Sequence, residues 1–97
     1  MPTYAWLARF RADFERLTLT QQAAFLTAVQ QFVEDLRRDR AFRKGLRVTG
    51  IQGAAGIFEM TWAPDGRATF EFGDEVTKGD PHVVWRRIGT HEVFKQR

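Results

Sequence analysis

Residues 57–72 read IFEMTWAPDGRATFEF, and this stretch decides the fold. Two runs that alternate apolar and polar residues flank Pro64-Asp65-Gly66. Pro presets φ at a first turn position, and a glycine accepts the left-handed conformation that closes a three-residue hairpin loop with a bulge. That turn would pair Ala63 with Arg67, Trp62 with Ala68, Met60 with Phe70 and Phe58 with Phe72. Phe58, Met60, Trp62, Ala68, Phe70 and Phe72 then share one face, while Glu59, Thr61, Arg67, Thr69 and Glu71 share the other. A slip of one residue would mix the two sets, so the apolar face is strongly specified. The same register sets Glu59 against Glu71, a repulsion that calls for Arg67 or Arg47 between them.

Moving outward, period-two patterning over residues 46–52 predicts a strand that ends at the GAAG of 53–56. After a polar loop at 73–81, HVVWRRI at 82–88 predicts a further strand, apolar on both sides at first as in the middle of a sheet. Arg86 and Arg87 would point to opposite faces, and Gly89-Thr90 turns the chain into a tail, 91–97. Towards the N-terminus, residues 3–8 read as a short strand carrying Tyr4 and Trp6. Phe10, Phe14 and Leu17 then mark one face of a short helix. Thr18-x-x-Gln21 has the spacing of a capping box, and Phe25, Val29, Phe32, Val33 and Leu36 follow at helical spacing to an end near Arg40. The expected architecture is α+β: one domain over 1–97, with an N-terminal strand and two helices on one face of a small, mainly antiparallel sheet.

Composition narrows the chemistry. At 97 residues there is room for a single core. With no Cys and only His82 and His91, disulfide frameworks, thiolate nucleophiles and His-rich zinc cages are excluded, so no metal or other cofactor is expected. No apolar run approaches the ~18 residues of a membrane span, and Arg9 and Arg11 interrupt any signal-peptide core. The reading is a soluble cytoplasmic protein with no membrane partner. The net charge of +3 is unevenly spread: residues 37–47 carry six basic side chains against one acidic, and 86–97 carry four against one. Residues 48–85, by contrast, hold six acidic and two basic. Two basic blocks suggest a positive surface suited to a polyanion or an acidic protein segment.

The sheet face without helices would carry Arg67, Thr61, Thr69, two Glu and one of the two strand arginines, with the 43–47 segment at its edge and His91 just past the last strand. Guanidinium groups keep their charge at any physiological pH and grip phosphate with two donors. Imidazole titrates near neutrality. Together they suit stabilisation of a phosphorane and movement of a proton. His82, following Pro81, reads as a surface position, and Trp62 and Trp85 read as core.

The segment FRKGLRVTGIQGAAGIFEMTWAPDGRATFEF (42–72), followed by HVVWRRIGTHEVF (82–94), resembles the RelE/ParE toxin superfamily of toxin–antitoxin modules, nearest the RelE/YafQ-like mRNA interferases. The resemblance spans nearly the whole chain and is most specific in IGTHEVF. It implies a ribosome-dependent endoribonuclease that needs no metal, in which a 2′-hydroxyl attacks the adjacent phosphate and leaves a 2′,3′-cyclic phosphate. Carried over, His91 would be the general acid or base, and Arg67 would stabilise the phosphorane charge. Arg86 matches the basic residue of the last strand. Lys44 and Arg47, with Arg43 and Arg87 beside the matched positions, would bind RNA, and Phe94 would stack on a base. Phe94 stands three residues after His91 where that branch has four, and it brings no hydroxyl.

Three functions follow from this. The first is the interferase, acting on mRNA at the ribosome. The second is a ParE-type toxin that inhibits gyrase, against which the His of IGTHEVF argues. The third is a degenerate, non-cleaving member that binds an acidic partner. For the two toxin readings a cognate antitoxin is expected, with the 37–47 block as a landing site for an acidic peptide.

Overall fold

A computed structural model of the chain describes residues 2–38 and 41–90. Strand β1 (Thr3–Trp6) leads through Leu7 into helix α1 (Ala8–Glu15), and helix α2 (Leu19–Arg38) follows at once. The Thr18/Gln21 capping box forms as its spacing predicts: Thr18 N–H donates to Gln21 Oε1 at 2.9 Å and Gln21 N–H to Thr18 Oγ1 at 3.1 Å. A 3₁₀ turn (Lys44–Leu46) and a two-residue strand β2 (Thr49–Gly50) precede β3 (Ile57–Ala63), β4 (Gly66–Gly73) and β5 (His82–Thr90). The expected strand over 46–52 is thus reduced to its centre. Arg47 has φ 46°, left-handed backbone that no strand tolerates, and pairing begins only beyond it.

The sheet has the order β1-β5-β4-β3-β2. β1 runs parallel to β5, and the other neighbours are antiparallel. The two helices and the sheet make the α+β architecture read from the sequence. Among the described residues, no helix is long and apolar enough to cross a membrane.

The hairpin keeps the expected faces but not the expected register. Thr61 pairs with Arg67, Met60 with Ala68 and Phe58 with Phe70, a displacement of two residues. Because side chains alternate with period two, this shift leaves the apolar set together. Trp62 is the extra residue of a bulge between Thr61 and Ala63, and Ala63 pairs directly with Gly66. Gly66 does not take the left-handed conformation expected of it. Its lack of a side chain matters instead: a Cβ there would lie 2.5–2.7 Å from the Trp62 indole. The displaced register also separates the two acids, so that Glu59 faces Thr69 and Glu71 faces Ile57.

The helices cover one face of the sheet. Trp85 centres that core, its ring centroid 5.3 Å from Phe25, 5.4 Å from Phe32, 5.3 Å from Phe70 and 6.0 Å from Phe10. Met60, Ala68 and Ile88 are fully buried beneath them. Aromatic pairs at these separations contribute to stability beyond the area they bury. Phe72, expected in the core, packs on Phe58 and Phe70 but is 38% exposed at the rim.

Candidate functional site

The uncovered face of β3–β4–β5 gathers two ion pairs. Arg67 Nε lies 3.7 Å from Glu59 Oε1, and its Nη1 donates to the carbonyl oxygens of Gly66 (2.9 Å), Pro64 (3.3 Å) and Ala63 (3.4 Å). The turn therefore anchors the guanidinium from below, and among the described residues Nη2 is left without a partner. One strand over, Arg86 Nη1 donates to Glu71 Oε2 at 3.0 Å. A second bulge makes this possible: Thr69 pairs with Arg87 and Phe70 with Trp85, so Arg86 is the extra residue of β5. Arg67 on β4 and Arg86 on the neighbouring β5 thus share a face, each already beside a carboxylate, with the buried Thr69 two residues beyond Arg67 on β4.

The other expected site residues divide. Arg87 leaves that face altogether and donates to Asp13 of α1, from Nε to Oδ2 at 2.7 Å and from Nη2 to Oδ1 at 3.3 Å. Arg43 is bound twice to the buried Asp35, from Nε to Oδ2 at 2.9 Å and from Nη2 to Oδ1 at 2.8 Å, and its backbone N–H adds a third bond to Oδ2 at 2.9 Å. Those side-chain hydrogen bonds hold the Asp35 carboxyl at about 2 and raise the Arg43 guanidinium above its ordinary value. Arg43 thereby clasps the basic segment to α2. Lys44 and Arg47 are exposed on the turn that follows. His91 and Phe94 lie outside the described residues. His82 sits where β1 meets β5, its Nδ1 2.8 Å from the Thr3 hydroxyl.

Arg47 and Arg67 come together at one cleft of about 580 Å³ between α2, the 3₁₀ turn and the hairpin end. Gln31 and Trp62 also line it. Sequence reading placed neither at a site. Gln31 is one of several polar residues on an amphipathic helix, and Trp62 is indistinguishable by pattern from its core neighbours. A second cavity, about 410 Å³ and lined mainly by apolar side chains, lies between β1 and the two helices.

This architecture is the RelE-like toxin fold. Among solved structures that share it, a copper-bound mutant toxin from Helicobacter pylori has 17% identity, a TM-score of 0.71 and coverage of 96% of this chain and 98% of its own. YafQ from Escherichia coli has 11% identity, a TM-score of 0.66 and coverage of 97% and 98%. The RelB–RelE antitoxin–toxin complex from Methanococcus jannaschii has 12% identity, a TM-score of 0.61 and coverage of 94% of each chain. At these identities the likeness establishes the fold. No protein-family model matches the chain, and no curated protein does.

Proposed function

We propose that the chain is the toxin of a toxin–antitoxin pair and that it cuts messenger RNA on the ribosome, in the cytoplasm. The observation that carries this reading is the toxin fold over at least 94% of the chain. In the reaction, the ribose 2′-oxygen bonds to the neighbouring phosphorus and the bond from phosphorus to the 5′-oxygen breaks, leaving a 2′,3′-cyclic phosphate and a 5′-hydroxyl. One proton leaves the 2′-hydroxyl and one reaches the departing 5′-oxygen. His91 carries one of these transfers. Arg67 offers its spare Nη2 to the phosphorane oxygens while Glu59 and the turn carbonyls hold its orientation. Arg86, beside Glu71, adds a second positive group along the same face. Lys44 and Arg47 contact the backbone of the RNA or of ribosomal RNA, and Phe94 stacks on a base.

An antitoxin partner is supported by related structures solved as complexes, DinJ–YafQ and RelB–RelE. The basic 37–47 block suits an acidic segment of such a partner. A second reading, a toxin-like chain that binds without cutting, is favoured by one observation: Arg67 and Arg86 both already face carboxylates.

The deciding experiment is primer extension on mRNA in a translating extract. Cleavage by the wild type that falls by at least about 100-fold in His91→Ala or Arg67→Ala is the expected result, given what a positioned acid–base or oxyanion group contributes. Equal cleavage by all three proteins overturns the assignment. Absence of cleavage by the wild type leaves the non-cutting reading.

A further inference from the structure

The toxin reading makes no use of the sheet edge at β1. Thr3 N–H donates to the Pro81 carbonyl at 2.9 Å and Leu7 N–H to the Trp85 carbonyl at 3.0 Å, so alternate residues of the strand turn towards β5. Tyr4 and Trp6 fall between them and turn their peptide N–H and C=O groups outward, where no described residue meets them. Their side chains are exposed as well, Tyr4 by 67% and Trp6 by 47%, and both line the apolar cavity between β1 and the helices. Proteins guard such edges with charge, yet residues 2–8 (PTYAWLA) hold no charged side chain. An open strand edge with apolar rings beside it marks an interaction surface.

We infer that a second copy of this chain covers this edge, β1 against β1, antiparallel about a two-fold axis through Ala5. That register sets Tyr4 of each copy opposite Trp6 of the other. Both residues face outward, so each pair exchanges two backbone hydrogen bonds, and together these use every outward-facing group of the two strands. The neighbouring symmetric registers do worse. Centring on Tyr4 sets Trp6 opposite Pro2, which has no N–H, and centring on Trp6 sets Tyr4 opposite Ala8, the first residue of α1. The strand edge is therefore complementary to itself. Its rings agree, for Tyr4 already meets Trp6 edge-on at 6.1 Å within the chain, and the pairing continues that row into the second copy. Charge points the same way. The acidic segment expected of an antitoxin is drawn to the basic 37–47 block, and an uncharged strand adds nothing to that attraction. The opposite edge, β2, is two residues long, so association stops at the dimer. With roughly 100 Å² exposed on each of the paired rings, the aromatic surface covered falls well short of a standard interface of about 1,600 Å², and the dimer should dissociate on the order of 100 µM. It forms whether or not the chain cuts RNA.

The test is sedimentation velocity of the full chain over a concentration series from about 10 µM to about 1 mM, which spans the expected dissociation constant. Ala5 is exposed and would lie on the two-fold axis in a non-hydrogen-bonded pair, where opposed side chains come closest. Ala5→Lys and Ala5→Glu should therefore unfold at the same temperature as the wild type. Each alone should dimerise at least about tenfold more weakly, because like charges face one another across the axis. Mixed in equal amounts, the two variants should associate again, since every lysine then faces a glutamate. A wild type that stays monomeric throughout overturns the inference and leaves the face to a different partner. A dimer that Ala5→Lys leaves equally tight overturns it too, because the contact then lies elsewhere. So does a mixture that associates no better than its components, which would mean that the strands do not meet at Ala5.

Discussion

Asp13 and Arg87 stand 74 positions apart in the chain and are joined by two hydrogen bonds, of 2.7 and 3.3 Å. The same carboxylate also accepts the backbone N–H of Ile88 at 3.3 Å. β1 ends at Trp6, paired with Trp85, so beyond that point the outer edge of β5 has no strand beside it. One side chain from α1 takes over the missing strand's role and fixes the helix to the sheet.

Replacing Asp13 with Asn should therefore cost about 3 kcal/mol, because it leaves a largely buried guanidinium without its counter-charge. Urea unfolding followed by tryptophan fluorescence measures this, and Asp13→Asn/Arg87→Gln should recover part of the loss. A loss under about 1 kcal/mol would mean that solvent already screens the pair.

The Asp35–Arg43 clasp predicts a pH dependence with a definite sign. The folded carboxyl titrates at about 2, below its ordinary 3.8, so the unfolded chain binds the proton more readily. The stabilisation is present in full above the ordinary value and disappears as pH falls from about 5 towards 2. In Arg43→Gln the Asp35 carboxyl should titrate near its ordinary value by ¹³C NMR. The acid limb of the stability curve should flatten over the same interval. Identical acid limbs in the two proteins would refute the assignment.

Gly66→Ala should be far more harmful than a glycine substitution at a loop tip. The new methyl group meets indole carbons of Trp62 at 2.5–2.7 Å, so the bulge or the ring must move. Overpacking of this kind costs about 1–3 kcal/mol. At roughly 4–8 °C per kcal/mol for a domain of this length, thermal unfolding resolves it. Adding Trp62→Leu should return part of the loss; no recovery would place the strain elsewhere.

Much of this molecule is legible in its sequence because alternation is a local signal. Phe58, Met60, Ala68 and Phe70 announce their common face whatever the exact register, since a displacement by two preserves it. The turn misleads because glycine has two distinct uses. At Gly66 the sequence shows the residue, while the reason for it, a tryptophan four positions earlier, appears only once the bulge exists. The strand over 46–52 overreaches for a similar reason: nothing in the letters announces that Arg47 adopts positive φ. The candidate site is harder still. Arg43, Arg67, Arg86 and Arg87 look alike as letters, and each is assigned its partner by tertiary placement. Asp35 claims the first, Glu59 and Glu71 the next two, and Asp13 the last. Arg47 and Arg67 do line one cleft, at the hairpin end beside α2 and next to an indole whose pattern marks it as core.

The parallel pairing of β1 with β5 has a consequence for how the chain is made. Thr3 finds its partner in His82, so the opening strand waits until nearly every later residue has been translated. Contacts that close so long a loop form late and slow folding. A nascent chain stopped short of residue 82 has its hairpin and helices but nowhere to seat its first strand. A message broken off mid-synthesis yields an unfinished sheet, and whatever this fold does begins only after the last strand arrives.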